Sequence, residues 1–527
     1  MMLTSTASMT RVGLCVLGVC ATVMPLRSHA QAPAAAPSTP ATDAAARTAF
    51  GQSLAFRADR RIADQTHALM GWLAQHEPAS YRSRGMLRLK LTLRIAGADG
   101  TVAKDLGETL ILGGDLAARP FPVDIDARGV ADGDYEYVAE VSDAGASIRT
   151  LTTPVKFVAG LDEKQAAFEG RLARITGHDS AKASIRYPFD LARVINLGKR
   201  VYGSGTGNPE FGLNQAGQPT LYDFSAGLKR SAQLLAALEA GNDPVWRAGG
   251  EMVRHYYMPE ADEILPYRVF VPSTWNGQSP LPLVFILHGN SRDQDFYFDR
   301  DGRVIPRTAE KHGYMLVAPL GYSPNGGYNY VPAGREGAPR GVAGAAAMPQ
   351  VFGRPEPAAD PAPQAGRGAR GGRGSARGFG GVNGSVTPAL IRSEWSEQDT
   401  MHVFDLIRQE YPIDPKRIFL FGYSAGGQGA HYLGPKHAEH WAAIAIGGSN
   451  AQAGTTYPFA RLRNTPVLIF CGTEDAPNLG RSRAMAEALQ QNGVRAMLKE
   501  LPGATHDSAP STATPDLFTF FDANGRK

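Results

Sequence analysis

The apolar run Ile418-Phe419-Leu420-Phe421, followed by Gly422-Tyr423-Ser424-Ala425-Gly426-Gly427, narrows the possible folds more than any other part of the chain. A short, wholly apolar run reads as a strand buried on both faces, and the residues after Ser424 can enter a helix. Between them Ser424 stands in the pattern G-x-S-x-G. A serine held in a sharp strand-to-helix turn presents its hydroxyl above the sheet, and its neighbours must lack side chains so that strand and helix can approach. The helix N-terminus adds a favourable potential for an anion forming there. The segment therefore asks for a parallel sheet with helices against it.

The surrounding sequence supplies one. From about Ile264, short apolar runs at Tyr267 to Val271, Leu283 to Leu287, Tyr314 to Ala318, Ile418 to Phe421, Ala442 to Ile446, Val467 to Phe470 and Ala496 to Leu501 alternate with stretches long enough for helices, such as His402 to Tyr411 and Arg481 to Gln491. Continuous apolar strands separated by helices predict a doubly wound, mostly parallel sheet covered on both faces, here assigned to residues 251 to 527. Residues 334 to 388 interrupt it. They are rich in Gly, Ala, Pro and Arg and too poor in large apolar residues to form a core, so they read as a disordered surface insertion. Ser396-Glu397-Gln398-Asp399 resembles a capping box that would restart helix.

Charge follows the same division. The formal net charge is +4, but residues 334 to 384 hold seven arginines against three acids, and Arg11 and Arg27 fall in a leader. The remainder is slightly acidic, and the basic balance does not argue for a nucleic-acid enzyme. Arg-Gly repeats can bind RNA, but a solvated loop is the simpler reading and no nucleic-acid partner is expected.

The first thirty residues resemble an export signal. Arg11 precedes the apolar run Val12 to Met24, which is too short for a membrane span, and Ser28-His29-Ala30 offers small residues for cleavage. Cleavage near Gln31 gives a periplasmic or secreted protein with no integral membrane segment. It also removes Cys15 and Cys20, so Cys471 remains alone and no internal disulfide can form. Residues 31 to 47 read as a flexible lead-in, and residues 48 to 76 can form helix. After Pro78 the period changes: Leu87, Leu89, Leu91, Leu93 and Ile95 alternate with polar residues, Asp99-Gly100 supplies a turn, and short strands follow at Thr109 to Leu112, Phe121 to Ile125, Tyr135 to Val141 and Ile148 to Val158. This spacing predicts a small immunoglobulin-like β-sandwich within residues 48 to 160. Residues 161 to 250 read as mainly helical and bridging.

A serine hydroxyl is a poor nucleophile until a base takes its proton, so Ser424 requires a histidine and a carboxylate. Asp475 follows the strand Val467 to Phe470, and His506 lies in the loop after the last strand. Asp475 is preferred to the adjacent Glu474 because its G-x-x-D spacing carries the side chain over the strand end. Asp507 is too close to His506 in sequence to reach Nδ1 well. An oxyanion needs two N–H donors, for which Ala425 and Asn290 of Leu287-His288-Gly289-Asn290 are the candidates. His288 reads as a residue that orients this loop. Tyr423 and Tyr322 are candidates for lining the substrate pocket, and Tyr328 and Tyr330 share the loop of Tyr322. His431, His437 and His440 lack the H-E-x-x-H arrangement and are split by Gly434-Pro435, so no metal is expected. Neither a phosphate loop nor a nicotinamide fingerprint asks for a cofactor.

The order Ser, Asp, His, together with Pro266-Tyr267-Arg268-Val269-Phe270-Val271-Pro272, the Leu287 to Asn290 run, Asp414-Pro415-Lys416-Arg417-Ile418 and Gly422 to Gly427, resembles the α/β-hydrolases of the esterase, polyhydroxybutyrate depolymerase and feruloyl esterase type. The resemblance covers residues 264 to 523 and not the sandwich. It implies hydrolysis of a small or polymeric ester through an acyl-enzyme at Ser424, with a carbohydrate-linked phenolic or acetyl ester or a polyester as substrate. A prolyl-oligopeptidase-like peptidase and a non-catalytic surface binding protein are the competing readings. The oligomeric state is not legible.

Overall fold

The computed structural model describes residues 40–76, 87–113, 116–200, 221–330, 393–449 and 458–526. The leader, much of the lead-in and the insertion at 334 to 388 lie outside the described residues.

The N-terminal part begins with helix α1 (Pro40–Ser53) and continues as eight strands: β1 (Leu54–Ala58), β2 (Ile62–Ala63), β3 (Leu69–Gln75), β4 (Leu87–Gly97), β5 (Val102–Gly113), β6 (Phe121–Ile125), β7 (Gly133–Asp143) and β8 (Ala146–Phe157). They form a three-stranded sheet in the order β1-β3-β6 and a five-stranded sheet in the order β2-β8-β7-β4-β5. One core joins the sheets, with Phe56, Leu73 and Ile125 from the first meeting Leu91, Ile95, Tyr137 and Phe157 from the second. The expected helix over residues 48 to 76 is corrected: α1 ends at Ser53 and three strands follow. The physical reason is a period of two, because Leu54 and Phe56, then Leu69 and Leu73, turn inward on one face. The expected lead-in is shortened too, since residues from Pro40 are helical.

Three helices come next: α2 (Leu161–Leu172), α3 (Asp179–Asn196) and α4 (Phe224–Glu239). The α3 helix touches both halves of the chain. Asn196 at its end accepts from the N–H groups of Arg61 and Ile62 and donates to the Ile62 carbonyl. Six residues earlier, Asp190 accepts from the N–H of Ile264 at 2.6 Å.

The C-terminal half is one eight-stranded sheet. Its elements are β9 (Gly250–Met258), β10 (Glu263–Val271), β11 (Leu281–Leu287), α5 (Phe296–Asp299), α6 (Val304–His312), β12 (Met315–Pro319), α7 (Ser393–Glu410), β13 (Ile413–Tyr423), α8 (Ala425–Lys436), β14 (Ala443–Gly447), β15 (Val467–Gly472), α9 (Ala476–Gln491), β16 (Ala496–Leu501) and α10 (Ala509–Ala523). The strand order is β16-β15-β14-β13-β11-β12-β10-β9. The strands from β12 to β16 in this order pair in parallel, and only the β9–β10 hairpin and its contact with β12 are antiparallel. Alternate residues serve opposite layers. Leu283, Phe285 and Leu287 pack with Val403, Phe404, Leu433 and Leu489 of α7, α8 and α9, whereas Val284 and Ile286 pack with Ile305, Leu517 and Phe521 of α6 and α10. This is the expected doubly wound sheet. Chain order reverses between β11 and β13, and the crevice above such a reversal is where ligands bind in folds of this class.

The expected capping box is also corrected. Ser396 is not the start of a helix, because α7 is under way at Ser393. Its Oγ accepts from the Tyr328 N–H at 2.9 Å instead. Asp399 accepts from the Tyr322 N–H and the Tyr256 hydroxyl. The polar residues that imitated a cap are buried anchors for the loop after β12.

Candidate active site

Ser424 sits between β13 and α8 with φ +58° and ψ −121°, a strained conformation for any residue bearing a side chain. Its N–H is held by the Gly447 carbonyl at 3.0 Å. The flanking glycines are demanded by contact. A Cβ on Gly426 would lie 2.0 Å from the Leu287 carbonyl oxygen, and one on Gly422 would lie 2.1 Å from the Gly426 oxygen. Strand, turn and helix therefore meet backbone to backbone, and the serine side chain alone projects outward.

His506 reaches this hydroxyl from the loop between β16 and α10. Its Nε2 lies 3.1 Å from Ser424 Oγ, and its Nδ1 lies 2.6 Å from Asp475 Oδ2. The carboxylate is 5 % exposed and the imidazole 40 %, so the acid is sealed while the base opens to the cleft. With Nδ1 donating to Asp475, Nε2 is the nitrogen able to accept the serine proton. Asp507 contacts no ring nitrogen of His506 and bonds Arg300 through its main-chain oxygen. The side chain of Glu474 points to solvent, and its N–H donates to Ala504.

The residues expected to supply the two N–H donors both line the cleft beside Ser424. Ala425 is the first residue of α8, where a helical N–H has no partner within the helix, and Asn290 follows the end of β11. Neither N–H donates to another protein group among the described residues. Gly289 between β11 and Asn290 lies against the serine, its missing Cβ 3.5 Å from that of Ser424. His288 is buried, with ring nitrogens 2.9 Å from the Gly289 carbonyl and 2.7 Å from that of Leu320. Burial lowers its pKa. It ties two strand-end loops together and does not line the cleft.

The cleft over Ser424 has a volume of about 410 Å³ and is lined by Asn290, Ala425, Gln428, Ser449, Asn478 and Arg481 besides the serine and histidine. The two tyrosines expected to line it do not, which corrects that expectation. Tyr322 is buried, its hydroxyl donating to Glu263 and its ring packed on Trp395. Tyr423 is buried, stacks on Phe470, and donates its hydroxyl to the main-chain carbonyl of His506 at 2.8 Å. Its role is to hold the histidine loop. Burial pushes its phenol pKa up. Tyr328 is likewise buried, with its hydroxyl on the His288 carbonyl.

Sequence reasoning missed Asn478, Arg481, Gln428 and Ser449. Asn478 had a usable signal, since it lies three residues after Asp475 at the start of a helix, the spacing at which side chains meet. The histidines set aside as metal ligands divide in the structure. His431 is buried and stands apart, while His437 and His440 approach Glu439 closely enough to share an ion. Glu439 is engaged by Arg461, and His437 lies 3.3 Å from Glu397. Cys471, at the end of β15 beneath Asp475, is buried as a free thiol, and burial pushes its pKa up to about 11.

Residues 392–514, a stretch containing Ser424, Asp475 and His506, match the model of the dienelactone hydrolase family. No curated protein matches the chain by sequence. Among solved structures, similar ones include a fluorophosphonate-binding serine hydrolase of Staphylococcus aureus, at 15% identity over 52% of this chain and 98% of its own, with a TM-score of 0.34. A thermostable esterase is similar at 13% identity over 90% of this chain and 100% of its own, with a TM-score of 0.35. A ferulic acid esterase of Anaeromyces mucronatus is similar at 16% identity over 52% of this chain and 90% of its own, with a TM-score of 0.33. The assignment of fold rests on the strand order and the family match.

Proposed function

We propose that the α/β-hydrolase half of this protein is a serine esterase that cleaves carboxylic esters through an acyl-enzyme at Ser424. The observation that carries the reading is the unbroken line from Asp475 through His506 to Ser424, with spacings of 2.6 and 3.1 Å, beside two unengaged N–H groups. His506 takes the serine proton as Oγ attacks the ester carbonyl, and the oxyanion forms where the Ala425 and Asn290 N–H groups can stabilise it. The imidazolium then protonates the leaving alcohol. Water repeats the cycle in reverse to release the acid. Asp475 fixes the ring and offsets the charge it gains.

The lining supports short or hydrophilic substrates over long aliphatic ones, because Asn290, Gln428, Ser449, Asn478 and Arg481 offer polar groups and little apolar area. Carbohydrate-linked acetyl or phenolic esters fit this better than a long-chain polyester. The proposal includes export, supported by the sequence of the first thirty residues, and an immunoglobulin-like character for the two-sheet N-terminal part.

Two assays test the reading. A fluorophosphonate probe is expected to label the wild type and not Ser424→Ala, and equal labelling of both would overturn the nucleophile. Turnover of p-nitrophenyl acetate and butyrate should exceed that of the octanoate. A clear preference for a peptide p-nitroanilide would defeat the esterase assignment in favour of a peptidase.

A further inference from the structure

Asp475 occupies the N-cap position of α9, where an aspartate ordinarily turns its carboxylate back to cap the first-turn N–H groups. Here it makes no such side-chain cap. The N–H of Asn478 instead donates to the Asp475 main-chain carbonyl at 3.0 Å, and the carboxylate faces His506. A buried carboxylate that gives up its helix donors must find others or remain under-solvated.

Asn478 supplies them from the side chain. Its Nδ2 lies 2.9 Å from Oδ1 and 3.0 Å from Oδ2 of Asp475. Oδ2 is shared with the His506 ring, whereas Oδ1 has no donor other than Asn478 among the described residues. The same Nδ2 lies 3.3 Å from His506 Nδ1. Two N–H groups so close together are compatible when both point at the carboxylate. The asparagine thus favours the arrangement in which Nδ1 carries the proton and Nε2 accepts from Ser424.

We propose that Asn478 is a positioning residue for the reaction, holding the Asp475 carboxylate in the orientation that directs and fixes the His506 imidazole. The inference rests on the esterase reading above. Asn478 acts through Asp475, so its loss lowers the rate of the chemical steps and not the affinity for substrate.

The test is steady-state kinetics of Asn478→Ala and Asn478→Asp on p-nitrophenyl acetate, with active sites counted by fluorophosphonate titration and folding followed by Tm. Loss of a hydrogen bond to a charged group corresponds to a fall in kcat of about 10- to 100-fold, with KM changed by less than about twofold. Asn478→Asp keeps the shape and removes the N–H donors, so it should fall at least as far as the alanine variant while its Tm stays near that of the wild type. A kcat for Asn478→Asp equal to the wild type would overturn the proposal by reducing Asn478 to a packing role. So would a large rise in KM at constant kcat, which would make it a substrate contact. If Asn478→Ala fails to fold, Asn478→Asp decides. Should Ser424→Ala retain full activity, the esterase reading itself has failed, an outcome distinct from either result at position 478.

Discussion

Two loops leave the same rim of the sheet, one after β13 carrying Ser424 and one after β12 carrying Tyr322 and Tyr328. Both were expected to face substrate, and both have backbone in the left-handed half of φ space, at +58° for Ser424, +65° for Tyr322 and +55° for Tyr328. They differ in where their hydroxyls go. Ser424 presents Oγ to an imidazole at the mouth of a cleft, whereas Tyr322 and Tyr328 turn inward to Glu263 and the His288 carbonyl. The second loop is held from behind by α7, through Ser396 and Asp399. Position at a strand end and a strained backbone are therefore shared by the proposed catalytic site and a structural one. Solvent access and an adjacent base separate them.

The sharpest way to break this comparison is to remove each hydroxyl. Ser424→Ala should lower kcat by about 10⁴- to 10⁶-fold with Tm nearly unchanged, read by ester hydrolysis and a melting curve. Tyr322→Phe should do the reverse. Glu263 keeps Arg200 but loses a donor, which costs about 1.5–3 kcal/mol of stability while kcat stays within about twofold. A large rate loss in Tyr322→Phe at unchanged stability would return that loop to the active site.

Backbone packing comes next in size. Gly426→Ala forces a methyl group into the Leu287 carbonyl, so β11, β13 and α8 must separate, at a cost of about 2–3 kcal/mol and with most activity lost. Wild-type kinetics in this variant would show that the turn is looser than described.

The remaining effects appear only as pH changes, concern buried titrating groups behind the two loops, and have opposite signs. His431 on α8 is buried, neither ring nitrogen has a partner among the described residues, and burial lowers its pKa to about 3. The folded state binds that proton more weakly than the unfolded chain. This stability is present above about pH 6.5 and is lost as pH falls toward 3. His431→Leu should therefore lose less unfolding free energy than the wild type between pH 6.5 and 4, a difference on the order of 2–3 kcal/mol read by denaturant titration. Asp399, behind the tyrosine loop, has its pKa raised to about 6 by burial. Its contribution is present below about pH 3.8 and fades as pH rises through 6, so Asp399→Asn should flatten that part of the stability profile. Identical profiles for wild type and both variants would remove these groups from the account.

Much of the site was legible because its chemistry dictates local sequence. Gly422, Ser424 and Gly426 encode the turn, Asp475 follows β15, whose continuous apolar run marks it as a buried parallel strand, and His506 follows the edge strand β16 in the Ser, Asp, His order. What was hidden depended on partners far away in the chain. Strand β9 was missed because Arg254 and His255 interrupt its apolar pattern, yet both are buried, Arg254 against Glu410 and His255 against Ser184 and Tyr187. Residues 54 to 75 read as helix until their inward face met β7 and β8. Ser396 and Asp399 imitated a cap because the loop they anchor lies some seventy residues earlier. Tyr322 and Tyr423 were assigned by position along the strand ends, which does not reveal the direction of a side chain.

Rapid acid quenching of the protein during the first turnovers of p-nitrophenyl acetate, followed by peptide mass analysis, tests the nucleophile most directly. An acetyl group should appear on the peptide carrying Ser424, in proportion to the burst of p-nitrophenol, and be absent from Ser424→Ala. Turnover with the acetyl group on another residue, or with no covalent intermediate at all, would contradict the assignment of Ser424 as the attacking group.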